Sequence, residues 1–408
     1  MHPEDKCCEF NKQKKVCSNR EKLPANLLKA LNRIAQKEGY LSHEIFNRTI
    51  STEGGNYLAV LYEVDIKGKT CEGEKETNIF IKYIISDEHM NIVDISELYF
   101  KELFFYRDMS EIFTELQIEA GVPLEERYKV VKSYSESSTE AIILQNVAKE
   151  GFATFYRMDV MPLKFAEMAV QQLARFHGLS FVTQQKRPEY FERKIKTLKQ
   201  SFQLNDNFKA FCRNMFNYSV EGLDVEVRNK LEQALPELLE NYIKYLNGDK
   251  MKVKCLCHGD YRMNNILMKI KEGEVTEVIP VDYQLLNYGT PITDFIYFVF
   301  GATDKEFRRN HLKHLKDMYF ETMDNFLKYF EIDIDSVYPR KEFERDYVEC
   351  LDYGLQVVLF IIPFVFTLES DVPDLSKTEI TDVKLNLDHR YYERLQGVVD
   401  DMTEYGKL

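Results

Sequence analysis

The sequence predicts an α+β protein in which a small, sheet-rich part precedes a larger, mostly helical part. Strand-like segments concentrate before residue 146, and segments with helical periodicity dominate after it. A chain of 408 residues is too long for one simple core, so more than one domain is expected. We predict a polar tail over residues 1–20, a first lobe over 21–145 and a second lobe over 146–408.

In the first lobe, apolar residues at helical spacing predict a helix over residues 24–37, and Gly39 is its stop signal. Runs of β-forming residues predict four strands, and a hydrophilic hairpin loop over 67–77 joins the first two. A long amphipathic helix is predicted over 97–120, between the second and third strands. The four predicted strands cover residues 57–66, 78–85, 127–131 and 141–145.

The second lobe is predicted to be helical, with two short strands around Leu256 and over 278–281. The apolar run over 357–366 is too short to cross a bilayer, so we interpret it as part of a buried helix. The predicted helices cover residues 162–179, 226–245, 304–330 and 341–368.

Composition and charge narrow the class of protein. The net charge of -13 argues against binding to nucleic acid, whose phosphates select basic surfaces. The N-terminal residues lack the apolar segment of a secretory signal, and we expect a cytoplasmic protein with reduced thiols and no membrane insertion. Cys255 and Cys257 have no second ligand pair at finger-like spacing, so we interpret them as buried strand thiols rather than zinc ligands.

The motif with the most chemical content is Cys-His-Gly-Asp-Tyr-Arg-Met-Asn-Asn at residues 257–265. Asp260 can accept a proton from a substrate hydroxyl, and Asn265 stands five residues later, as in the kinase catalytic loop. Asp282 follows an apolar strand, and with Asn265 it offers the oxygen ligands that Mg²⁺ prefers. Each residue alone also fits a loop or a turn, but together they predict a phosphoryl-transfer site that uses ATP and Mg²⁺.

Such a site also needs a cation for the phosphates, and Lys82 is the candidate because it interrupts an apolar strand. A buried ammonium group needs a partner, and Glu102 on the following helix is suitably placed. Each side chain on its own could equally face water. Gly54, Gly55 and Asn56 precede the first strand, and glycines there would let the backbone approach phosphates.

Three further polar residues are interpreted mainly as supports. His258 is expected to hydrogen-bond the loop backbone, with a catalytic role as the alternative. Asp294 opens an apolar helix, either as its N-terminal cap or as a brace for the catalytic loop. His177 is interpreted as a packed helix histidine. The aromatic residues Phe295 and Tyr297 are interpreted as core, although they could line a substrate pocket.

These motifs together resemble the insect ecdysteroid kinase-like family, which has a choline- and aminoglycoside-kinase-like fold. The resemblance covers most of the chain, from about Ser51 to the helix that contains Pro363. It is carried by Gly55-Asn56-Tyr57, Lys82, Glu102, Leu-Ala-Arg-Phe-His at 173–177, His258-Gly259-Asp260, Asn264-Asn265 and Val-Asp-Tyr-Gln at 281–284.

The resemblance implies a bilobal, protein-kinase-like fold and ATP-dependent phosphorylation of a small-molecule hydroxyl. By analogy with the family, Asp260 is the base, Asn265 and Asp282 hold Mg²⁺, and Lys82 with Glu102 positions the phosphates. It also implies that the segment of Gln145 and Val147 contacts the adenine, largely through backbone groups.

Two departures from the family pattern concern the acceptor and the nucleotide. Arg262 stands where the family usually has Trp, near the expected position of the phosphate acceptor. Leu-Gln-Asn-Val at 144–147 replaces the usual Glu-Asp pair between the lobes, and because the adenine contacts use backbone groups, ATP binding is expected to survive.

The leading hypothesis is therefore an ATP-dependent O-kinase for an apolar alcohol. The acceptor would be an ecdysteroid, in hormone inactivation, or a xenobiotic alcohol, in detoxification. One alternative is a catalytically weak pseudokinase that binds a nucleotide or a steroid. Another is a kinase for a cationic substrate such as choline.

Overall fold

The structure is a computed structural model, and the residues that it describes are 23–50, 59–84, 92–248, 251–373 and 379–408. The predicted N-terminal tail lies outside these residues. Gly54, Gly55 and Asn56 also lie outside them, so their predicted contact with phosphates stays a prediction.

Four antiparallel strands form the sheet of the first part, in the order β1-β2-β3-β4. The helix α1 (Ala25–Lys37) packs Leu27, Leu31 and Ile34 against one face of this sheet. The strands are β1 (Tyr40–Ile50), β2 (Ala59–Thr70), β3 (Gly73–Ile84) and β4 (Ala141–Gln145).

The predicted long helix is present as a continuous helical stretch with one irregular turn. It consists of α2 (Ile95–Phe104), a π-helical turn (Phe105–Met109) and α3 (Ser110–Glu119). The carboxylate of Asp94 accepts hydrogen bonds from the backbone N–H groups of Ser96 and Glu97, which satisfies donors at the helix start.

Two predictions for the first part were wrong, and one strand was missed. Residues 127–131 form no strand, because helix side chains take their backbone donors: Gln117 accepts from Tyr128 N–H at 2.6 Å and Gln172 from Lys129 N–H at 3.0 Å. The strand β1 was missed because most of its side chains are exposed and its apolar pattern is weak. The predicted loop over 67–77 is instead mostly strand, since β2 and β3 pair as far as Thr70 and Gly73.

The second part is mostly helical, as predicted, and two small antiparallel sheets carry the motif residues. One sheet has the order β5-β7-β8, and the other pairs β6 with β9. The strands are β5 (Phe152–Thr154), β6 (Cys255–Cys257), β7 (Ile266–Lys271), β8 (Glu274–Pro280) and β9 (Asn287–Gly289).

The helices of the second part surround these sheets and share one large apolar core with α2 and α3. The predicted helix over 341–368 is divided at Cys350 and Ile361 into three helices. The helices are α4 (Leu163–Lys186), α5 (Pro188–Tyr190), α6 (Asp206–Glu221), α7 (Val225–Leu246), α8 (Pro291–Ala302), α9 (Lys305–Lys328), α10 (Ile334–Val337), α11 (Arg340–Glu349), α12 (Leu351–Phe360), α13 (Ile362–Val365) and α14 (His389–Glu404).

This architecture confirms the predicted α+β class, with a small antiparallel sheet followed by a larger helical part. The predicted boundary between residues 145 and 146 stays a prediction, although β4 ends at Gln145. Within the described ranges, no helix has both the length and the apolar character that are needed to cross a bilayer.

Candidate active site

Lys82 reaches the centre of the site because of its position in β3. Side chains alternate between the two faces of a strand, and Ile79 and Ile81 point toward α1. Lys82 therefore points to the opposite face, where its Nζ donates to Glu102 Oε2 at 2.7 Å. The Glu102 side chain comes from α2, and both groups are more than 90% buried.

The same ammonium group also contacts the end of the second motif. Lys82 Nζ lies 2.6 Å from Asp282 Oδ1 and 2.9 Å from Gln284 Oε1. The tyrosine ring of Tyr99 lies beside it, with its centroid 5.8 Å from Nζ. Lys82 thus joins the first sheet, α2 and the segment after β8 in one buried contact.

The charges of this cluster are mutually dependent. Burial acts to lower the pKa of Lys82, but the carboxylates of Asp282 and Glu102 outweigh it and raise that pKa, so the amine stays protonated. Burial raises the pKa of Glu102 to about 7, against the opposing effect of Lys82. The pKa of Asp282 is lowered, because Lys82 outweighs the effect of burial.

Asp282 has an unusual backbone conformation for a residue with a side chain. Its φ is 70°, in the left-handed region that favours glycine and, among other residues, Asn and Asp. Asp282 is the second residue after β8, and Val281 between them makes two contacts with the catalytic loop. Its N–H donates to Asn265 O at 2.8 Å, and its C=O lies 3.2 Å from His258 Nε2.

The catalytic loop turns sharply after β6, at a position where only glycine fits. Gly259 has a φ of 79°, and a Cβ there would lie 2.2 Å from Leu285 O. The turn places Asp260 in the interior, with its carboxylate beside Tyr297 and Asn265. The hydroxyl of Tyr297 donates to Asp260 Oδ1 at 2.7 Å, and Asn265 Nδ2 donates to Asp260 Oδ2 at 2.9 Å.

Arg262 is the third group around the Asp260 carboxylate. Its Nε lies 3.3 Å from Asp260 Oδ2, which makes an ion pair, and its side chain is 15% exposed. A mostly buried guanidinium therefore lies beside the carboxylate of the proposed base.

Asn265 and Asp282 fit the requirements of a magnesium ion by their chemistry. The amide nitrogen of Asn265 is used in bonds to Asp260 O and Oδ2, so its carbonyl oxygen is the atom left for a metal ion. Asp282 adds a carboxylate that is 23% exposed, more open than the other acids of the cluster. Oxygen donors of these two kinds are those that Mg²⁺ prefers.

Asp294 lies in the first turn of α8 and holds the start of the loop. Its Oδ2 accepts the N–H of His258 at 2.6 Å, and its Oδ1 accepts the N–H of Gly259 at 2.9 Å. Thr290, rather than Asp294, is the N-cap residue of α8. Of the two roles considered for Asp294, the contacts observed are those of a loop brace.

Two buried histidines also help to hold the catalytic loop in place. His177 on α4 contacts Asp294 Oδ2 through Nε2 at 3.1 Å and the hydroxyl of Tyr319 through Nδ1 at 2.6 Å. Burial acts to lower the pKa of His177, but the bond to Asp294 and further neighbours raise it to about 9. Burial lowers the pKa of His258, whose neutral ring bridges the catalytic loop to Val281.

The segment that is predicted to join the two lobes lies next to β3. Gln145 is the last residue of β4, opposite Ile79, and its side-chain amide donates to Glu150. Val147 is buried and begins a short 3₁₀ turn. The predicted adenine contacts of Gln145 and Val147 stay predictions.

Sequence reasoning missed the contacts of two residues. Gln284 belongs to the Val-Asp-Tyr-Gln motif, but no role was predicted for it. Its position two residues after Asp282 could have indicated that it lies near the same site. Tyr297 was interpreted as core because it lies in an apolar helix, and nothing in that pattern shows that its hydroxyl faces Asp260. The thiols of Cys255 and Cys257 are buried in β6, as expected, near the ring of His177.

Comparisons with known proteins agree with the resemblance in the sequence. A model of the ecdysteroid kinase-like family matches residues 53–332, which is more than half of the chain. The chain therefore belongs to this family. The predicted kinase-like fold is thereby confirmed together with the observed architecture.

The chain is also similar to solved structures of an ethanolamine kinase and of an aminoglycoside phosphotransferase. Plasmodium vivax ethanolamine kinase is 12% identical, with a TM-score of 0.43, over 89% of this chain and 84% of that one. A GDP complex of an aminoglycoside 2'-phosphotransferase-IIIa variant is also 12% identical, with a TM-score of 0.40, over 92% and 97%. Among curated proteins, no match was found.

The buried cluster predicts a strong coupling between Lys82 and Glu102. Replacing Lys82 by Met leaves buried carboxylates without their cation and is expected to lower the free energy of unfolding by about 3 kcal/mol. In the double variant with Glu102→Gln, the loss should be smaller than the sum of the single losses by about 1 kcal/mol or more. Urea unfolding of the four proteins measures this, and additive losses would contradict the coupling.

The left-handed backbone at residue 282 predicts a difference between two substitutions. Both Asp282→Asn and Asp282→Ala remove the charge, but Asn adopts positive φ more readily than Ala. We therefore expect the Ala variant to be less stable than the Asn variant by about 1 kcal/mol. Thermal unfolding of the matched pair measures this difference, and equal stabilities would show that the strain is relieved elsewhere.

The raised pKa of His177 predicts a loss of stability at high pH. A group whose folded pKa is about 9, above its ordinary 6.5, contributes its full stability below 6.5 and loses it as pH rises through 9. Urea midpoints should therefore fall more steeply over this interval in the wild type than in His177→Gln. Parallel pH profiles would mean that His177 is neutral in the folded protein.

Proposed function

We propose that this protein is an ATP-dependent small-molecule kinase that transfers the γ-phosphate of ATP to a hydroxyl group of an apolar alcohol. Membership of the ecdysteroid kinase-like family supports a phosphotransferase. The single observation that carries the proposal is the 2.6 Å contact between Lys82 and Asp282, which are 200 residues apart in the chain. It brings the predicted phosphate-binding cation to the predicted metal-binding acid.

In the proposed reaction, Asp260 orients the acceptor and receives its proton. The acceptor oxygen attacks the γ-phosphorus as its O–H bond breaks, the proton passes to the Asp260 carboxylate, and ADP leaves. Tyr297 and Asn265 fix the carboxylate through hydrogen bonds, so little reorganisation is needed when the acceptor binds. General-base help of this kind is worth about 10²–10⁴-fold in rate.

The nucleotide phosphates are bound in this proposal by Lys82, which Glu102 and Gln284 hold in place. Asn265 and Asp282 would hold Mg²⁺, which would neutralise charge on the phosphates. Asp282 is then shared between Lys82 and the metal site, and its lowered pKa keeps it ionised for that role. The backbone around Gln145 and Val147 would contact the adenine.

An ecdysteroid or a xenobiotic alcohol is the proposed acceptor class. Three buried phenol rings are close enough to Asp260 for its charge to affect them: Tyr242, Tyr297 and Tyr353. Burial first, and then neighbouring charges that include Asp260, raise the pKa of each of these phenols. Besides Arg262 and Asn265, neutral aromatic side chains therefore lie near the base, and they suit an apolar substrate.

The test is incubation of the protein with ATP, Mg²⁺ and a panel of ecdysteroids and other apolar alcohols, followed by mass spectrometry. We expect one acceptor to gain a single phosphate. The rate should fall by about 10²–10⁴-fold in Asp260→Asn, which removes the base but keeps the size of the side chain. Asp206→Asn is the matched control, because Asp206 is 99% exposed and distant in sequence from the motif.

A nucleotide-binding protein with weak or no catalysis is the second candidate. It is favoured by the ion pair between Arg262 and Asp260, because the guanidinium lies against the same carboxylate oxygen, Oδ2, that already accepts from Asn265, which leaves that oxygen less available to a substrate hydroxyl. Binding of Mg-ATP without any phosphorylated product across the panel would support this candidate over the kinase.

A further inference from the structure

A groove lies between α2, the π-helical turn that follows it, and the chain segment of residues 193–199. Its volume is about 560 Å³. Sites for small molecules typically have volumes of ~300–1,000 Å³, so the groove is large enough for such a ligand. None of the described residues that line it belongs to the catalytic motifs. Lys101 lines the groove, whereas the next residue, Glu102, contacts Lys82.

The groove is basic, although the chain as a whole has a net charge of -13. Five cationic side chains and two carboxylates line it, and the carboxylate of Glu97 is already paired with Lys101 at 3.0 Å. A concave surface with an excess of one sign of charge attracts ligands of the opposite sign. The other carboxylate is that of Asp108, and the five cations are Lys101, Arg107, Arg193, Lys194 and Lys199.

Four of the five cations are exposed, and Lys101 is buried. Within the described part of the chain, none of the four exposed cations forms an ion pair with a carboxylate. Lys101 is only 1% exposed, and its Nζ donates to Ser201 Oγ at 2.7 Å and to the backbone carbonyl of Lys199. Burial lowers the pKa of Lys101, so an anion bound nearby would favour its charged form.

The groove also has an apolar part. Phe100 is 54% exposed, which is unusual for so large an apolar side chain, and Leu103, Phe104 and Leu198 line the same space. Apolar side chains next to exposed cations suit a ligand that has an apolar tail and an anionic head. An inorganic anion would leave Phe100 uncovered, and a flat lipid surface would not fill a concave space.

We propose that this groove is a binding site for an aliphatic carboxylate, with the carboxylate among the exposed cations and the tail against Phe100 and Leu198. The site is separate from the proposed phosphoryl transfer, and its existence does not rest on that function. Because Lys101 and Glu102 are consecutive residues of α2, the ligand would bind to the helix that also holds Lys82.

The first test is calorimetric titration of decanoate, decanamide and butyrate into the full chain. We expect decanoate to bind about 10-fold more tightly than decanamide, because each exposed cation adds a factor of about two to five. Butyrate should bind more weakly than decanoate, since its tail covers less apolar surface. The double variant Lys194→Gln/Lys199→Gln should reduce the preference for decanoate to about threefold or less. Lys313→Gln is the matched control, because Lys313 is 91% exposed and lies on α9.

A fluorescent reporter can locate the ligand, because the sequence contains no Trp. Phe100→Trp places a single indole in the groove, and its emission should move to shorter wavelength when decanoate displaces water from it. Asp260→Asn should bind decanoate as tightly as the wild type, since Asp260 is not among the residues that line the groove.

Equal affinity of decanoate and decanamide for the wild type would overturn the proposal, and so would the absence of decanoate binding at about 1 mM. Binding that leaves the emission of Phe100→Trp unchanged would place the ligand elsewhere and would overturn it too. The same holds for binding that is lost in Asp260→Asn but retained in the double lysine variant. None of these measurements requires ATP, so failure of this proposal can be distinguished from failure of the proposed kinase activity.

Discussion

The site depends on one physical constraint, which is that the buried ammonium group of Lys82 must be surrounded by acceptors. Its three partners come from α2 and from the segment after β8, and each lies within 2.9 Å. An uncompensated charge in the interior would cost several kcal/mol, so the sheet, the helix and the motif segment stabilise one another through this contact. The same requirement that stabilises the junction assembles the proposed nucleotide site.

A second buried acid, Asp294, holds the catalytic loop in place, as Glu102 holds Lys82. Asp294 accepts two consecutive N–H groups of the loop and is itself paired with the protonated ring of His177. The turn at Gly259 then directs Asp260 inward, where Tyr297 and Asn265 fix its carboxylate. Two helices, α4 and α8, and the loop after β6 therefore determine the position of a single carboxylate, as a preorganised base would require.

The fold class and most helices could be predicted from the sequence, because long amphipathic patterns and a specific motif spacing can be recognised without knowledge of the tertiary contacts. It failed where tertiary contacts override local pattern. Residues 127–131 have strand-like composition, but the side chains of Gln117 and Gln172 occupy their backbone donors. The contact of Tyr297 with Asp260 could not be predicted for a similar reason, since one hydroxyl in an apolar helix gives no periodic signal.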